Sequence, residues 1–381
     1  LIMMKRSELT SAPPIHEWQI AFSQACNLRC KYCITGYGKF HDKDGYMPAD
    51  IQEKVISEIF DHLTKDKSIS IKFVIGETFL YFDEFIKFIR NIKTEASKNN
   101  ASVSISVGSN GVLLDKKKMD ILADENIGII FSIDGPQKIH DSNRVDSKGK
   151  GSFDKAYNNW KYYRHLSLNH PNSPLCNVQS VLSDGGSFTD VASFWAEHER
   201  VIFDCVLEFP SLYTSNGSIE EYRERKKSFL LQFKQFAFEK ADELSVPLFL
   251  SNYTGPSQLL KYWTNIFLGN SCSSCKCADG IIAIDANGNY YPCDGFVGID
   301  KWLIGNVFTR IDQDKVLKIK DQILKIRSEC ANCSIRDICE GGCVAATPDA
   351  GLTLDREGSC EFYKQIARIV HESFKKMSSE A

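Results

Sequence analysis

The apolar and polar residues follow two alternating periods as far as about residue 210. Short apolar runs of the length of buried strands recur at Trp18–Phe22, Ile69–Ile75, Val103–Val107, Ile127–Ile133, Asn177–Leu182 and Cys205–Phe209. Between the strands, apolar residues fall at helical spacing over Ala49–Leu63 and Phe82–Ile92. This alternation predicts parallel strands joined by right-handed crossovers. Six units are fewer than a closed eight-fold barrel needs, so we expect an α/β fold with a partial (β/α)6 TIM-type barrel.

The rest of the chain is expected to be helical first and then rich in cysteine. Ser218–Leu244 has the pattern of one long, charged, amphipathic helix. We therefore predict an N-terminal tail over residues 1–17, the barrel over 18–217, a helical bridge over 218–270, a small cysteine-rich domain over 271–365 and a C-terminal helix or tail over 366–381.

Composition and charge exclude several classes of protein. Hydrophobic residues make up 43% and charged residues 25% of the chain, the balance of a soluble globular protein. A formal net charge of −3 argues against broad binding of nucleic acid or anionic membranes. Neither a membrane-spanning apolar run nor a signal peptide is evident, so we expect a cytoplasmic protein.

The 14 cysteines are the compositional anomaly. Without an export signal, metal ligation or catalysis is a better account of them than disulfides. One group lies at Cys26, Cys30 and Cys33, and most of the others follow residue 271. Cys176 and Cys205 lie in strand-like runs and are expected to be small buried apolar residues.

Polar residues cluster where the predicted strands end, which is where parallel β/α folds place their chemistry. They are Cys26, Cys30 and Cys33 after the first strand, Gly76 and Glu77 after the second, Ser109 and Asn110 after the third, Ser132, Asp134 and Arg144 around the fourth, and Gln179 on the fifth. Glu208, at the end of the sixth strand, is a weaker candidate for an acid–base group.

The spacing C-x3-C-x2-C brings three thiolates to one small centre. Four cysteines would complete a tetrahedral zinc site or ligate every iron of a 4Fe–4S cluster. Three leave one iron open, and an amine and carboxylate can chelate it. A zinc loop with a distant fourth ligand is the alternative.

This motif, with Tyr32 before its last cysteine, resembles the radical S-adenosylmethionine (radical SAM) superfamily. Gly76-Glu77 stands at the place of the family's Gly-Gly-Glu-Pro element, which binds the methionine amino group of S-adenosylmethionine. Ser132 and Arg144 resemble the family's contacts to the ribose and to the carboxylate of the same cofactor. One departure is that this element is Ile75-Gly76-Glu77-Thr78. We expect Ile75 to extend the apolar strand and Thr78, which lacks the fixed φ of proline, to alter the loop.

The resemblance implies a 4Fe–4S cluster, S-adenosylmethionine and a 5′-deoxyadenosyl radical that removes a hydrogen atom from an unactivated carbon. It also implies a set of cofactor-binding residues, namely Tyr32, Gly76, Glu77, Ser109, Asn110, Ser132, Asp134, Arg144 and Gln179.

The C-terminal cysteines resemble the SPASM domain, a seven-cysteine extension that holds auxiliary iron–sulfur clusters. Gly288 suits the tight turn of a hairpin between Ile281–Ile284 and Tyr290–Tyr291, which would bring Cys277 and Cys293 together. The resemblance implies two auxiliary 4Fe–4S clusters, and their eight ligands include one of Cys272 and Cys275. We favour Cys272, because Cys275 is so near Cys277 in sequence that it could seldom reach round the same cluster without strain. The cluster ligands would be Cys272, Cys277, Cys293 and Cys343 for one, and Cys330, Cys333, Cys339 and Cys360 for the other. A pair of structural zinc sites is the alternative.

Asp294 directly follows Cys293, in a stretch that resembles anaerobic sulfatase-maturing enzymes, where an aspartate at this place is the proposed base. A carboxylate here could take the proton lost when a substrate radical is oxidised. The alternative is a turn aspartate that caps local amides. His140 and His41 are expected to be structural or surface residues.

Three functions are compatible with this pattern. The one we favour is a maturase that crosslinks side chains of a ribosomally made precursor peptide, by a carbon–carbon cyclophane or a thioether bond. The second is a sulfatase maturase that oxidises Cys or Ser to formylglycine, but the loop after Cys33 lacks the aromatic residue associated with that group. The third, a non-catalytic electron carrier, has no need of S-adenosylmethionine contacts.

The partners expected are a peptide substrate and a flavodoxin- or ferredoxin-type electron donor. The short segment before the first strand leaves no room for a leader-recognition domain, so the leader would bind the barrel, the helical bridge or a separate recognition protein.

Overall fold

The computed structural model describes residues 15–33, 45–63, 65–183, 186–199, 201–207, 219–243, 255–256, 259, 264, 276–278, 280–326, 332–333, 345 and 356–379. Its strands are β1 Glu17–Ile20, β2 Ser68–Phe73, β3 Ser102–Ser109, β4 Ile127–Ser132, β5 Cys176–Leu182, β6 Ile202–Leu207, β7 Gly255–Pro256, β8 Ile281–Ile284, β9 Asn289–Tyr291, β10 Gly305–Asn306 and β11 Arg310–Ile311. Its helices are α1 Ala49–Asp61, α2 Phe82–Asn99, α3 Lys116–Asp124, α4 Gln137–Asn143, α5 Phe153–Asn169, α6 Phe188–Ala196, α7 Ile219–Glu243, α8 Gln313–Ile326 and α9 Arg356–Ser379.

The chain folds as two compact units that interleave along the sequence. The first unit contains residues up to Cys26, Gly38–Val107 and Lys276–Lys325, and the second contains Asn27–Tyr37, Gly108–Cys275 and everything from Ile326 onwards. Among the described residues, no helix combines the length and the apolar character needed to cross a membrane.

In the first unit, β1 is paired in parallel on both of its edges. Trp18 lies opposite Ile71 of β2 on one side and opposite Ile282 of β8 on the other. β8 and β9 form the predicted antiparallel hairpin, and β10 and β11 continue the antiparallel part. Gly288 in the hairpin has a φ of 78°, and a Cβ there would lie 2.5 Å from Val307 Cγ2, so the turn requires glycine.

Aromatic packing holds α2 on this sheet. The rings of Phe73 and Phe85 meet edge to face with centroids 4.8 Å apart, and Phe22 lies 5.8 Å from both Phe85 and Phe88. All four side chains are buried. The helix begins where predicted but continues beyond Ile92 to Asn99, because its apolar face continues to Ala96 and Asn100 then ends it in the left-handed conformation.

In the second unit, β4, β5, β6 and β7 are parallel neighbours. Trp160 of α5 and Trp195 of α6 pack edge to face at 4.9 Å over one face of this sheet. The long helix predicted over Ser218–Leu244 is confirmed as α7, and Phe229 on it contacts Phe362 of α9 at 5.6 Å. Helix α9 begins at Arg356, earlier than the predicted residue 366, and includes Cys360.

The expectation for Ile75 was wrong. Strand β2 ends at Phe73, and Ile75 lies beyond it with a φ of 68°, in the left-handed region. A β-branched side chain is strained there because its Cβ crowds the neighbouring carbonyl. The next residue, Gly76, also has a positive φ of 64°, and a Cβ on it would lie 2.2 Å from the carbonyl oxygen of Ser23. The loop thus takes a shape that suits glycine at both positions, but it has glycine only at the second.

We predict that Ile75→Gly stabilises the protein by about 1 kcal/mol, because relief of left-handed strain outweighs the added chain entropy of glycine. The measurement is the free energy of unfolding by denaturant. Val74→Gly is the control, because it also replaces a β-branched residue by glycine but at a position without positive φ. It should lower the free energy of unfolding. A loss of stability in Ile75→Gly would contradict the strain assigned to this residue.

Candidate active site

A buried carboxylate, Asp134, organises the candidate site in the second unit. Its Oδ2 accepts a hydrogen bond from the Tyr32 hydroxyl and, at 2.9 Å, one from Arg144 Nε. Its Oδ1 accepts the backbone N–H of Val181 at 2.9 Å. The Arg144 guanidinium also lies over the Tyr32 ring, 5.3 Å from the centroid. Three residues predicted to bind the cofactor are therefore brought together.

Backbone hydrogen bonds attach the cysteine-bearing loop to the end of α4. The N–H of Arg29 donates to the Val145 carbonyl at 2.6 Å, and the N–H of Lys31 donates to the Asn143 carbonyl at 3.1 Å. Arg144 lies between those two acceptors and directly follows α4. The loop with Cys30 and the guanidinium of Arg144 are thus fixed by the same short segment.

His140 is a structural residue, as predicted. Its Nδ1 accepts the N–H of Asp134 at 3.3 Å, and its Nε2 is 2.9 Å from the hydroxyl of Ser152, which donates to the Arg144 carbonyl. Burial, and then the nearby charge of Arg144, lowers the pKa of His140 to about 4. The imidazole is therefore neutral near pH 7, and it links the backbone of Asp134 to that of Arg144.

Cys30 and Cys33 lie next to each other in the loop beside Arg144. The N–H of Cys33 donates to the Cys30 carbonyl at 3.1 Å. Burial raises the pKa of Cys30 to about 11, and the cation of Arg144 opposes that rise. A metal ion bound to the sulfur would supply the positive charge that a buried thiolate needs.

Ser132 and Gln179 are neighbours on adjacent strands. Ser132 of β4 lies opposite Gln179 of β5, and Gln179 lies opposite Asp204 of β6, so the three share one face of the sheet. Asp204 was not predicted as a site residue, because the sixth strand was expected to begin at Cys205. The alternation of polar and apolar residues from Ile202 onwards was the signal that could have found it.

Ser109 and Asn110 shape a turn. The Ser109 hydroxyl accepts the N–H of Gly111 at 3.0 Å, and Asn110 Oδ1 accepts the N–H of Val112 at 2.9 Å. The Asn110 amide also donates to Asn27 Oδ1 at 2.8 Å. Both side chains are buried, and Asn110 connects this turn to the residue that follows Cys26.

In the first unit, Gly76 and Glu77 lie against the backbone that leads into Cys26. The Glu77 N–H donates to the Ala25 carbonyl at 2.8 Å, and its buried side chain accepts the N–H of Phe79 at 3.2 Å. Thr78, where the family motif has proline, begins a short 3₁₀ helix and is buried. Glu77 is thus held in place although the motif departs from the usual one.

Asp294 also belongs to the first unit, immediately after the β8–β9 hairpin. Its backbone N–H donates to Gln19 Oε1 at 2.7 Å, and its Oδ1 accepts the N–H of Gly295 at 2.9 Å. Burial raises the pKa of Asp294 above its usual range. Both expectations for this residue thus have support, because the carboxylate caps a local amide and also occupies surroundings that favour proton uptake.

A polar row that the sequence analysis missed lies on β1 and β2. Glu17 and Gln19 alternate with buried Trp18 and Ile20, and Lys72 lies opposite Gln19. Lys72 Nζ is 2.7 Å from Glu17 Oε2. The signal for Gln19 was the alternation of polar and apolar residues in the first predicted strand, Trp18–Phe22, which begins one residue after Glu17.

The cysteines predicted to bind the auxiliary clusters are only partly described. Cys277 is buried and Cys293 half-buried, and the N–H of Ala278 donates to the Pro292 carbonyl at 3.1 Å, which brings together the two ends of the hairpin segment that bear them. Cys333 is half-buried and Cys360 exposed. Cys272, Cys275, Cys330, Cys339 and Cys343 lie outside the described residues, as do His41 and Glu208.

The residues present suit an iron–sulfur centre by their chemistry. Cys30 and Cys33 are adjacent thiols beside a buried cation. Cys26 is the third cysteine of the C-x3-C-x2-C spacing. Within the described part of the chain, no three His, Cys, Asp or Glu side chains are already arranged to hold a single metal ion. The three ligands of the first cluster therefore remain a prediction from donor type and spacing.

Comparisons with known proteins identify a family model and several relatives that match this chain. The profile of the Radical SAM superfamily matches residues 20–182. A cysteine-type anaerobic sulfatase-maturating enzyme of Clostridium perfringens is 25% identical, over 93% of this chain and 95% of the relative. The radical SAM cyclopropyl synthase TigE of Paramaledivibacter caminithermalis is 22% identical, over 93% of this chain and 73% of the relative.

Solved structures give the same result for the fold. Native anSMEcpe with bound AdoMet and Cp18Cys peptide matches with a TM-score of 0.75 and 22% identity, over 97% of this chain and 100% of that one. Streptococcus suis SuiB bound to precursor peptide SuiA matches with a TM-score of 0.56 and 18% identity, over 90% and 74% of the two chains.

The chain is therefore a radical SAM enzyme with an α/β partial barrel, as the sequence predicted. Residues 20–182 form a radical SAM domain, and the chain is similar over nearly its whole length to anaerobic sulfatase-maturating enzymes. The predicted use of a 4Fe–4S cluster and S-adenosylmethionine is confirmed, and relatives of this type carry auxiliary clusters as well.

We predict that Asp134→Asn lowers the free energy of unfolding by about 3 kcal/mol, because it leaves the buried Arg144 cation without its partner. It should also weaken S-adenosylmethionine binding, since the orientation of Arg144 is lost. Denaturation and calorimetry measure the two effects. Asp141→Asn is the control, because an amide oxygen can still accept the Phe153 N–H that Asp141 accepts at 2.8 Å. Wild-type affinity in Asp134→Asn would remove Asp134 from the binding site.

We predict that His140 makes the protein sensitive to mild acid. The unfolded chain takes up a proton below about pH 6.5, whereas the folded chain does so only near pH 4, so stability falls as the pH drops between these values. Between pH 7 and pH 5 the wild type should lose about 2 kcal/mol more than His140→Gln. If the wild type and His140→Gln gave parallel curves of unfolding free energy against pH, His140 would not be neutral and buried in the folded protein.

Proposed function

We propose that this enzyme is a peptide maturase that joins two side chains of a ribosomally made precursor, most simply by a carbon–carbon crosslink. Asp294 acts as the base. The observation that carries the proposal is the placement of Asp294, a half-buried carboxylate with a raised pKa that directly follows the cluster-type cysteine Cys293. A group so placed suits an oxidative reaction that releases a proton.

When bound, the reduced cluster and S-adenosylmethionine would supply the 5′-deoxyadenosyl radical that takes a hydrogen atom from the peptide. Crosslinking removes two hydrogens from the peptide. One leaves as that hydrogen atom, and the other leaves as a proton to Asp294 and an electron to an acceptor of the iron–sulfur class.

The residues of this chain would bind and orient the reactants. In the first unit, Glu77 would accept from the amino group of S-adenosylmethionine. In the second, Arg144 would bind its carboxylate, because the bond to Asp134 uses Nε and not the two Nη groups. Ser132 and Gln179 would contact the ribose side, since they are half-buried neighbours on one sheet face.

The same proposal includes two auxiliary clusters. It also includes the domain boundaries predicted from the sequence, with the barrel over residues 18–217, the helical bridge over 218–270 and the cysteine-rich domain over 271–365. Cys272, Cys277, Cys293 and Cys343 would hold one cluster, and Cys330, Cys333, Cys339 and Cys360 the other. A flavodoxin- or ferredoxin-type protein would donate the electron, and a leader peptide would bind the barrel, α7 or a separate recognition protein in the cytoplasm.

Oxidation of Cys or Ser to formylglycine is the second candidate. The observation that favours it is the similarity to the Clostridium perfringens sulfatase-maturating enzyme along nearly the whole of both chains. The same proton acceptor serves this reaction. Crosslinking is preferred because Ile34, directly after Cys33, stands where an aromatic residue is expected in that group.

Product analysis separates the two candidates. The reduced enzyme is incubated with a synthetic sulfatase-type peptide that contains one cysteine, and in parallel with peptides encoded beside its gene. A product that has lost two hydrogens and gives no free aldehyde supports crosslinking. An aldehyde on the sulfatase-type peptide supports the second candidate.

We predict that Asp294→Asn lowers product formation by about 100-fold, which is within the usual contribution of a general base. Release of 5′-deoxyadenosine should continue, because S-adenosylmethionine cleavage does not need this carboxylate. Asp300→Asn, an exposed aspartate of the same segment, is the matched control and should retain both activities. An undiminished product yield in Asp294→Asn would remove Asp294 from the mechanism.

A further inference from the structure

A chain of three hydrogen-bonded contacts in the first unit connects β2 to the backbone of Asp294. Lys72 Nζ lies 2.7 Å from Glu17 Oε2. Gln19 Nε2 donates to Glu17 Oε1 at 2.9 Å. Gln19 Oε1 in turn accepts the N–H of Asp294 at 2.7 Å, between residues 275 positions apart in sequence.

The strand register explains how these groups meet. Glu17 and Gln19 are two residues apart on β1, so their side chains leave the same face of the sheet. Lys72 lies opposite Gln19 on β2, and on the other side Gln19 lies opposite Ala283 of β8, whose small side chain takes up little space on that face. Gln19 is buried, with 8% of its surface exposed, so water competes poorly for its amide.

The chemistry of the three side chains fixes which end of the Gln19 amide faces Asp294. A carboxylate can only accept hydrogen bonds, so Glu17 binds the NH₂ end of Gln19 and leaves its carbonyl for the Asp294 N–H. The ammonium of Lys72 compensates the negative charge of Glu17. An apolar residue at position 19 would leave the Asp294 N–H without this partner.

We infer that Gln19, held by Glu17 and Lys72, is a positioning residue that fixes the proton acceptor Asp294 relative to β1. The inference rests on the proposed function, because it takes Asp294 as the base. Asp294 stands at the start of a single 3₁₀ turn, and its own carboxylate accepts the next N–H. The bond to Gln19 attaches this short turn to a central strand, which keeps the carboxylate in one place as the substrate radical forms.

The first readout does not depend on activity. In Gln19→Met, which keeps side-chain length but has no amide, hydrogen exchange at the Asp294 amide should become about five-fold faster, as expected for one lost hydrogen bond. Mass spectrometry of the segment that contains Asp294 in the purified enzyme measures this rate. Gln52→Met is the matched control, because it removes one amide-to-backbone bond, to the Met47 carbonyl at 2.7 Å, elsewhere in the same unit.

The second readout separates positioning from a general structural role. At saturating peptide, Gln19→Met should yield less crosslinked or oxidised product for each 5′-deoxyadenosine released, with kcat reduced and the KM for peptide unchanged. Gln52→Met should keep the wild-type ratio. The exchanged pair Glu17→Gln with Gln19→Glu restores an acceptor at position 19 at the same net charge, so both readouts should return toward wild type. This pair also provides the test if Gln19→Met does not fold.

The outcomes distinguish the two proposals. If Asp294→Asn lowers product but Gln19→Met changes neither amide exchange nor the product ratio, the positioning role is wrong and the proposed function stands. Faster exchange with an unchanged ratio also overturns the role. If Asp294→Asn leaves product unchanged, the base assignment fails first, and the role of Gln19 fails with it.

Discussion

The parallel pairing of β1 on both of its edges is the constraint on which the first unit depends. β2 on one side leads to Gly76 and Glu77, and β8 on the other side leads through a hairpin to Cys293 and Asp294. Groups that are more than 200 residues apart in sequence therefore belong to one sheet. Because strand register is fixed to single residues, side chains such as Gln19 reach the same partner in every molecule.

In the second unit, the buried ion pair between Asp134 and Arg144 fixes the positions of the surrounding side chains. Asp134 accepts hydrogen bonds from Arg144 and Tyr32 and so fixes both side chains. His140 accepts the backbone N–H of Asp134 and, through the Ser152 hydroxyl, is linked to the Arg144 carbonyl. A buried pair of this kind adds little net stability over apolar packing, but it is costly to break. Its benefit here is a guanidinium with one orientation, which is what recognition of a carboxylate requires.

The sequence alone predicted the strands β1 to β6 and the starts of α1, α2 and α7, because each rests on local periodicity. It did not predict that β8 pairs with β1, since no local pattern selects a partner so far away. It also placed Ile75 in a strand, because hydrophobicity carries no information about the sign of φ. Gln19 and Lys72 were missed because a polar residue in a strand gains meaning only once its neighbours are known. Asp204 was missed because the sixth strand was predicted to begin at Cys205, whereas it begins at Ile202.

The position of β8 also has a consequence for how the protein forms in the cell. During synthesis β1 emerges first and can pair with β2 soon afterwards, but its other edge stays open until the chain has been extended beyond Ile284. Such a long-range parallel contact is slow to form, and an open edge can pair with other chains. Until β8 has been synthesised, the nascent chain therefore exposes one edge of β1, and early chaperone binding would protect this edge.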